Sequence, residues 1–297
     1  MWSHYQKKDS NIDLNIDQHK FSIDENDIFI GVGEKGYFEK VQEYKDNNEA
    51  EDNLENNPFA PSNAKFHVSL SYEDYKKYKQ EICDLILEHL GGDKAVCEFK
   101  MINTKQLDKE LKLLEKAEEE LRKYETALSE SEHAKYQLGA YPKLTQKLDK
   151  MSGRRIRYLP ADKDEIQKIR ESFKQDKESL LRFRNSDEFT LYIPKEYSES
   201  KLLNLLNSIN DFLSTKEVSA GLKSDVALSV SQNINIRLEY FSKGEDKARI
   251  DAVKKEDEPP SRREKALSEL KEHNLYKFLT KEENRLGKKH EIPEKRF

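Results

Sequence analysis

The chain has 297 residues, of which 37% are charged, and its 58 acidic residues outnumber its 53 lysines and arginines, giving a net charge of -5. This balance argues against a general surface for polyanions, so no nucleic-acid partner is expected. No apolar run of about 18 residues is present, and the start lacks the apolar segment of a cleavable signal, so no membrane span or leader is expected. The two cysteines, Cys83 and Cys97, have no metal-site spacing, which indicates reduced thiols rather than disulfides.

The first third of the chain predicts an arm followed by short alternating elements. Residues 1–25 are polar and predict a flexible arm, and residues 27–32 predict a strand. Residues 45–63 are rich in Asn, Asp, Glu and Pro, which predicts a mobile loop able to act as a lid. Residues 72–90 predict a helix, because apolar residues recur there at spacings of three and four before a Gly-Gly pair.

A change of pattern over residues 105–181 predicts an inserted helical hairpin. Apolar residues form a heptad-like seam from Leu107 to Leu128, and a second seam runs from Ile166 to Leu180. Between the two seams lie a short amphipathic piece, 144–151, and a basic turn, Arg154-Arg155-Ile156-Arg157. Fewer than four full heptads are sustained, so an intermolecular coiled coil is the alternative rather than the preferred interpretation.

The remaining elements predict an α+β fold, with a mostly antiparallel sheet flanked by helices and interrupted by the hairpin. Strands are expected at 188–193 and 234–241, and helices at 198–213 and 262–279. The final residues, 287–297, are expected to be frayed. Strands and helices alternate without regular βαβ spacing, which favours α+β over a parallel α/β sheet. The predicted organisation is therefore an arm, 1–25, and one domain, 26–297, interrupted at 105–181.

Strict alternation in Lys65-Phe66-His67-Val68-Ser69-Leu70 places a lysine and an imidazole on one face of a strand. The same pattern recurs in the later strands. One solvated sheet face is thus expected to collect five polar side chains, Lys65, His67, Lys100, Tyr192 and Arg237. The alternative is that each is an ordinary solvated residue on a half-buried antiparallel sheet.

Two further motifs lie near the start of the chain, a glycine-rich stretch and a docking-type pattern. The stretch from Gly31 to Gly36 fits GxGxxG after a strand, but no parallel sheet is expected, so a glycine-rich turn is preferred over a dinucleotide site. The arm contains two lysines followed by aliphatic residues at alternate positions, a form suited to docking on an acidic patch with successive apolar pockets. Peptides that dock on mitogen-activated protein kinases have this form. The docking candidates are Lys7, Lys8, Ile12, Leu14 and Ile16.

Taken together, these motifs resemble the phosphothreonine lyase family of secreted bacterial effectors, which inactivate mitogen-activated protein kinases. The similar stretches occur in the family's order: KFHVSL at 65–70, FKMINT at 99–104, DEFTLYIP at 187–194 and KSDV…NIRLEY at 223–240. The arm at 12–16 and the helix at 266–279 are also similar. The resemblance covers nearly the whole chain apart from the insert at roughly 105–178.

The resemblance implies a role for each matching residue. Lys100 is the expected general base, His67 the general acid and Lys65 a supporting cation. Tyr192 would assist at the reacting centre. The remaining implied residues bind phosphate or orient the cations: Arg182, Arg237, Asp225, and Lys243 or Arg249 in place of a last family arginine. The lysine that follows LYI in the family is Pro194 here, and this departure, together with the large insert, concerns the choice of substrate more than the chemistry.

The implied reaction is β-elimination of phosphate from phosphothreonine, which leaves dehydrobutyrine. Lysine must act in its neutral form, which burial and neighbouring cations would favour, while the phosphate dianion would keep the imidazole protonated. No metal or organic cofactor is required. The implied partner is a phosphorylated host signalling protein of the MAP kinase family, reached after secretion into the host cytoplasm or nucleus. The alternatives are the same elimination on a substrate chosen by the insert, and a phosphoprotein-binding module without catalysis.

Overall fold

The computed structural model describes residues 14–26, 28–47, 61–90, 95–185, 189–221, 227–238 and 261–286. These residues form two compact units, a helical unit over 103–184 and a sheet unit that comprises the others. The helical unit is inserted between two strands that pair with each other in the sheet unit. None of the helices in the described ranges is long and apolar enough to cross a membrane.

The sheet unit contains seven strands among its described residues, joined in the order β1-β2-β4-β5-β3-β7-β6. Every pairing between neighbouring strands is antiparallel. The predicted α+β class with an antiparallel sheet is confirmed. The strands are β1 Phe21–Asn26, β2 Phe29–Glu34, β3 Pro61–Val68, β4 Glu98–Ile102, β5 Phe189–Pro194, β6 Leu228–Ser229 and β7 Ile234–Leu238.

Five helices accompany these strands in the described part of the sheet unit. They are α1 Tyr37–Asn47, α2 Tyr72–Leu87, α6 Glu199–Thr215, α7 Ser261–Glu272 and α8 Asn274–Thr280. Ser71 starts α2 by accepting a hydrogen bond from the Asp74 amide. Tyr75 of α2 makes an edge contact with Phe189 of β5, and its hydroxyl donates to the Ile102 carbonyl, so α2 covers the apolar sheet face.

The helical unit consists of α3 Thr104–Glu130, α4 Pro142–Ser152 and α5 Lys163–Asn185, with two 3-10 turns, Glu132–Tyr136 and Leu138–Ala140. Its core joins residues of both predicted seams, including Leu114, Leu121, Ile166 and Phe173. The seams thus bury against each other within one chain, as a hairpin requires.

Ion pairs show how the three helices of this unit are arranged. Lys177 pairs with Glu118 at 2.8 Å and Arg170 pairs with Glu125, so α3 and α5 are antiparallel. The Glu120 carboxylate accepts the amides of Lys143 and Leu144, at 2.7 and 2.8 Å, and so stabilises the first turn of α4.

The structure corrects several predicted boundaries. Residues 21–26 are a strand rather than the end of a flexible arm, because they pair with β2 along its whole length. The last helix, predicted as continuous over 262–279, breaks at His273, whose extended backbone and side-chain cap begin α8. The 45–63 segment is helical to Asn47 and extended from Pro61, while 48–60 lies outside the described residues. Residues 287–297 also lie outside them. Both cysteines are free.

Candidate functional site

One face of the sheet carries polar side chains on neighbouring strands. Residues directly opposite each other in an antiparallel pair share a face, with Cα atoms about 5 Å apart. Two rows of paired residues therefore cross the sheet on one side, which we call the polar face. The first row is Asp24, Gly31, Lys100, Thr190, His67, Asn235 and Ser229, and the second is Ser22, Gly33, Glu98, Tyr192, Lys65 and Arg237.

The polar face brings together five of the expected site residues. Lys65 lies between Tyr192 and Arg237, whereas His67 lies between Thr190 and Asn235. Lys100 pairs with Thr190, so two strand spacings, about 10 Å, separate its Cα atom from that of His67. The collection of Lys65, His67, Lys100, Tyr192 and Arg237 on one face, expected from alternation, is therefore found.

The expectation that this face is solvated is wrong at its centre. His67 is 3% exposed, Lys65 is 7% exposed and Ser69 is 2% exposed. Lys100, by contrast, is exposed, so the expected burial of this lysine is also wrong. Both β3 and β4 are interior strands, so strand position does not explain the difference, and alternation reports only which side chains share a side. Alternation cannot reveal whether protein or water covers that side.

The aromatic ring of Tyr192 lies close to two ammonium groups. The Lys100 Nζ atom is 5.1 Å from the ring centroid, and the Lys65 Nζ atom is 5.8 Å from it. Both distances are within the range of cation–π attraction. The expected base and its supporting cation therefore both lie near the same aromatic ring.

His67 is positioned by the neighbouring strand. Its Nδ1 atom lies 3.2 Å from the Oγ1 atom of Thr190, and its Nε2 atom is buried. In the neutral ring with a proton on Nε2, the threonine hydroxyl donates to Nδ1, and in the imidazolium the hydroxyl accepts. Either way, the contact fixes the plane of the imidazole relative to β5.

Two aromatic side chains beside these residues, Tyr37 and Phe38, were not predicted from the sequence; we call them the aromatic wall. A Cβ atom on Gly33 would lie 2.9 Å from the Tyr37 ring, and one on Gly31 would lie 3.4 Å from Phe38. Tyr37 and Phe38 therefore lie over the polar face where it carries no side chains. Glycines at alternate positions of a strand are a signal of such close approach.

The positions of Tyr37 and Phe38 show which structure the GxGxxG motif forms. Two of its glycines are inside β2, and the third, Gly36, has a φ of +76° in the turn before α1. Aromatic side chains of α1 occupy the space over β2. The motif is thus a strand and a turn, as preferred, rather than a phosphate loop.

The phenol of Tyr37 also contacts the thiol of Cys97. The Tyr37 hydroxyl is 3.8 Å from Cys97 Sγ, and the thiol donates to the Tyr192 carbonyl at 3.3 Å. Burial, followed by the nearby Glu98 carboxylate, raises the pKa of the Cys97 thiol to about 12. Burial, followed by Cys97 and Glu98, also raises the pKa of the Tyr37 phenol. Both groups are therefore protonated donors near neutral pH and not nucleophiles.

The other expected residues belong to the helical unit, to the arm, or to segments outside the described residues. Arg182 belongs to α5 of the helical unit, where it is exposed and its guanidinium lies 5.0 Å from the Phe183 ring centroid. Asp225, Lys243 and Arg249 lie outside the described residues, as do Lys7, Lys8 and Ile12 of the arm.

The described end of the arm is bound to the fold. Ile16 is 8% exposed, and the Asn15 amide donates to the Gln80 side chain of α2 at 2.8 Å. Ile16 is therefore a packed residue here rather than a free docking anchor, which corrects that part of the docking prediction. Leu14 is half-buried.

Groups of three or more His, Cys, Asp or Glu side chains suited to a metal ion are not found among the residues that the structure describes. The cationic composition of the polar face suits an anion instead. Lysine, arginine and histidine side chains donate to phosphate oxygens with charge-assisted hydrogen bonds.

Comparison with known proteins gives a match in structure only. No protein-family model matches the chain, and no curated protein matches its sequence. The phosphothreonine lyase SpvC from Salmonella is 12% identical, covers 90% of this chain and 79% of that chain, and has a TM-score of 0.41. The type III effector and phosphothreonine lyase OspF from Shigella flexneri is 12% identical, covers 94% and 92%, and has a TM-score of 0.42.

A third solved structure is the VirA (SpvC) phosphothreonine lyase effector from Chromobacterium violaceum, 12% identical over 89% of this chain and 79% of that chain, with a TM-score of 0.42. At this identity and these TM-scores, the likeness does not bear on activity. The chain is similar to solved phosphothreonine lyases, the family that its motifs resemble.

Proposed function

We propose that this chain is a phosphothreonine lyase, a carbon–oxygen lyase that removes phosphate by β-elimination. The observation that carries the proposal is the placement of Lys65, His67 and Lys100 on one sheet face around the Tyr192 ring. Such a cluster combines a candidate base, a candidate acid and cations for phosphate.

In the proposed reaction, neutral Lys100 takes the Cα proton of phosphothreonine. The electron pair of the Cα–H bond forms the Cα=Cβ bond, and the Cβ–O bond breaks. His67 gives its proton to the departing phosphate oxygen, so the products are dehydrobutyrine and inorganic phosphate. Lys65 and Arg237, which are opposite each other on β3 and β7, would bind the phosphate. Arg182, Asp225 and Lys243 remain candidates for the same anion.

Burial of His67 sets a requirement for this mechanism. Its Nε2 atom is inaccessible, so the reaction needs a state in which the phosphate oxygen reaches the imidazole. Exposed Lys100 meets no such barrier. We expect hydrogen exchange at the C2 position of His67 to be slow in the free protein and to change when a phosphothreonine peptide is added.

Elimination is distinguished from hydrolysis by mass. A peptide with one phosphothreonine would be incubated with the protein and measured intact. Loss of phosphoric acid leaves dehydrobutyrine, whereas hydrolysis leaves threonine, which is heavier by one water. The proposal requires the lighter product, and a product with the mass of the threonine peptide would contradict it.

The substrate that we propose is a phosphorylated host signalling protein, namely a MAP kinase phosphorylated on its activation loop. The support is the docking-type pattern at Lys7, Lys8, Ile12 and Leu14 together with the motif resemblance. As an effector of this kind, the protein would be secreted by a bacterium into the host cytoplasm or nucleus.

Truncation tests the docking part of the proposal. Deleting residues 1–13 should raise KM for an intact phosphorylated kinase and leave a short phosphopeptide unaffected, because a remote arm adds effective concentration rather than chemistry. Deletion to residue 20 should also destabilise the fold, since Ile16 is buried. An equal loss on the short peptide after deletion of 1–13 would contradict a docking role.

A phosphoprotein-binding module without catalysis is the second candidate, because burial keeps the candidate acid His67 from solvent whereas the exposed Lys100 is accessible to an anion. Such a module would bind the phosphothreonine peptide and leave its mass unchanged. The same elimination on another phosphoprotein, selected by the helical unit, would give the lighter peptide but spare phosphorylated MAP kinases.

A further inference from the structure

A groove lies between α4 and α5 in the helical unit, with a volume of about 400 Å³. Its lining is mainly apolar, and Ser152, Glu165 and Lys168 add polar atoms at its border. We call it the α4–α5 groove. The apolar side chains that line it are Leu148, Met151, Ile156, Tyr158, Pro160 and Ile169.

Two of these apolar side chains project into solvent. Tyr158 is 60% exposed and Met151 is 41% exposed. Exposed large apolar side chains that cluster at a groove are typical of surfaces that bind another molecule, because burying them on contact is favourable.

The loop that forms one wall of the groove is held in place. The Ile156 amide donates to the Asp149 carboxylate at 2.7 Å, and the Leu159 amide donates to the Lys135 carbonyl at 2.8 Å. The Tyr124 hydroxyl donates to the Pro160 carbonyl at 2.6 Å. A preformed groove binds without the cost of ordering its own loop.

The charges around the groove are uneven. Cations on the helices of this unit pair with carboxylates, for example Lys147 with Asp176 at 2.8 Å and Lys150 with Glu110 at 2.6 Å. The loop arginines Arg154, Arg155 and Arg157 are exposed, and no ion pair joins them to a carboxylate within the described ranges. Their guanidinium groups remain available for carboxylates outside this unit.

We propose that the α4–α5 groove binds an acidic segment of a partner protein, with aliphatic or aromatic side chains in the groove and carboxylates on Arg154, Arg155 and Arg157. The apolar lining supplies affinity, and the arginines select for negative charge. Glu165 at the border disfavours a segment whose carboxylates fall on that side. The proposal concerns recognition alone and does not rest on lyase activity.

Selection from a displayed library of random short peptides tests this proposal on the full chain. Enriched peptides should combine Asp or Glu with at least one large apolar residue. The most enriched peptide, followed by fluorescence anisotropy, should bind R154E/R155E/R157E at least about tenfold more weakly. Met151→Ser with Tyr158→Ser should weaken it similarly, and because both side chains are exposed the variant should stay folded.

The control is K109E/K112E/K116E, which changes charge equally at exposed positions on α3. It should bind the peptide within about twofold of the unchanged protein. The proposal is overturned by enriched peptides without acidic residues, by equal weakening in the control, or by no enrichment at all. Two further outcomes would overturn it if no peptide binds. In one, the arginines are required for binding vesicles of phosphatidylcholine and phosphatidylserine. In the other, they are required for dimerisation measured by sedimentation.

Discussion

The Nδ1 atom of His67 on β3 and the Oγ1 atom of Thr190 on β5 lie 3.2 Å apart, across two directly paired strand positions. Thr190 also pairs with Lys100 of β4. One threonine on the central strand therefore stands between the candidate acid and the candidate base, and it orients the acid.

Thr190→Val tests this positioning role. Loss of the hydroxyl should lower kcat on a phosphothreonine peptide by about fivefold to tenfold, because one hydrogen bond contributes about 1 kcal/mol. KM should change little. Thr190→Ser keeps the hydroxyl and should restore most of the rate. Steady-state kinetics of the two variants give the comparison, and equal rates in both would exclude a role for the hydroxyl.

Lys100→Ala should lower turnover by at least about a hundredfold, as expected for loss of a general base. Lys100→Arg should be equally inactive, since arginine stays protonated. Phosphopeptide affinity should remain within a few fold, because a base acts mainly in the transition state. The control is Lys40→Ala, an exposed lysine of α1. Normal turnover in Lys100→Ala would remove this residue from the mechanism.

Tyr192 offers two separable contributions, a ring near two ammonium groups and a hydroxyl. Tyr192→Phe keeps the ring, whereas Tyr192→Leu removes it. If the ring positions the lysines, turnover should survive in the first variant and fall about fivefold in the second, consistent with a cation–π contribution of about 1 kcal/mol. Equal loss in both variants would instead assign the effect to the hydroxyl.

Gly33→Ala should destabilise the protein by about 1–3 kcal/mol, because the added methyl would overlap the Tyr37 ring. Adding Tyr37→Ala should recover part of this loss, so the two changes should not be additive in urea unfolding. Gly139→Ala is the control, since open space surrounds that position. Strict additivity would show that the ring does not approach Gly33 so closely.

The free energy of unfolding should decrease in acid because His273 titrates. Its Nδ1 atom accepts from the Leu275 amide at the start of α8, and burial lowers its pKa. As the pH falls below about 6.5, the unfolded chain binds a proton here before the folded chain does, so the free energy of unfolding decreases. His273→Asn keeps a cap but cannot titrate, and should lose this part of the pH dependence. Urea unfolding on both sides of that pH measures the difference.

Alternation within each strand was enough to predict which side chains share a face. The period of two is a property of the extended backbone, so Lys65, His67, Lys100, Tyr192 and Arg237 followed from local sequence. Helical spacing likewise predicted α2, α6 and both seams of the helical unit, since their apolar residues have no other place to be buried.

Only the tertiary structure decided the order of the strands and the burial of each site residue. Alternation cannot tell that β3 lies between β5 and β7, and it reports nothing about what covers a face, so it could not predict that His67 is covered while Lys100 is exposed. Nor could it predict that Thr190 orients the imidazole or that Tyr37 lies on Gly33, because both contacts depend on strand pairing and chain reversal. Local periodicity determines which residues face the same way, and long-range pairing determines what they meet there.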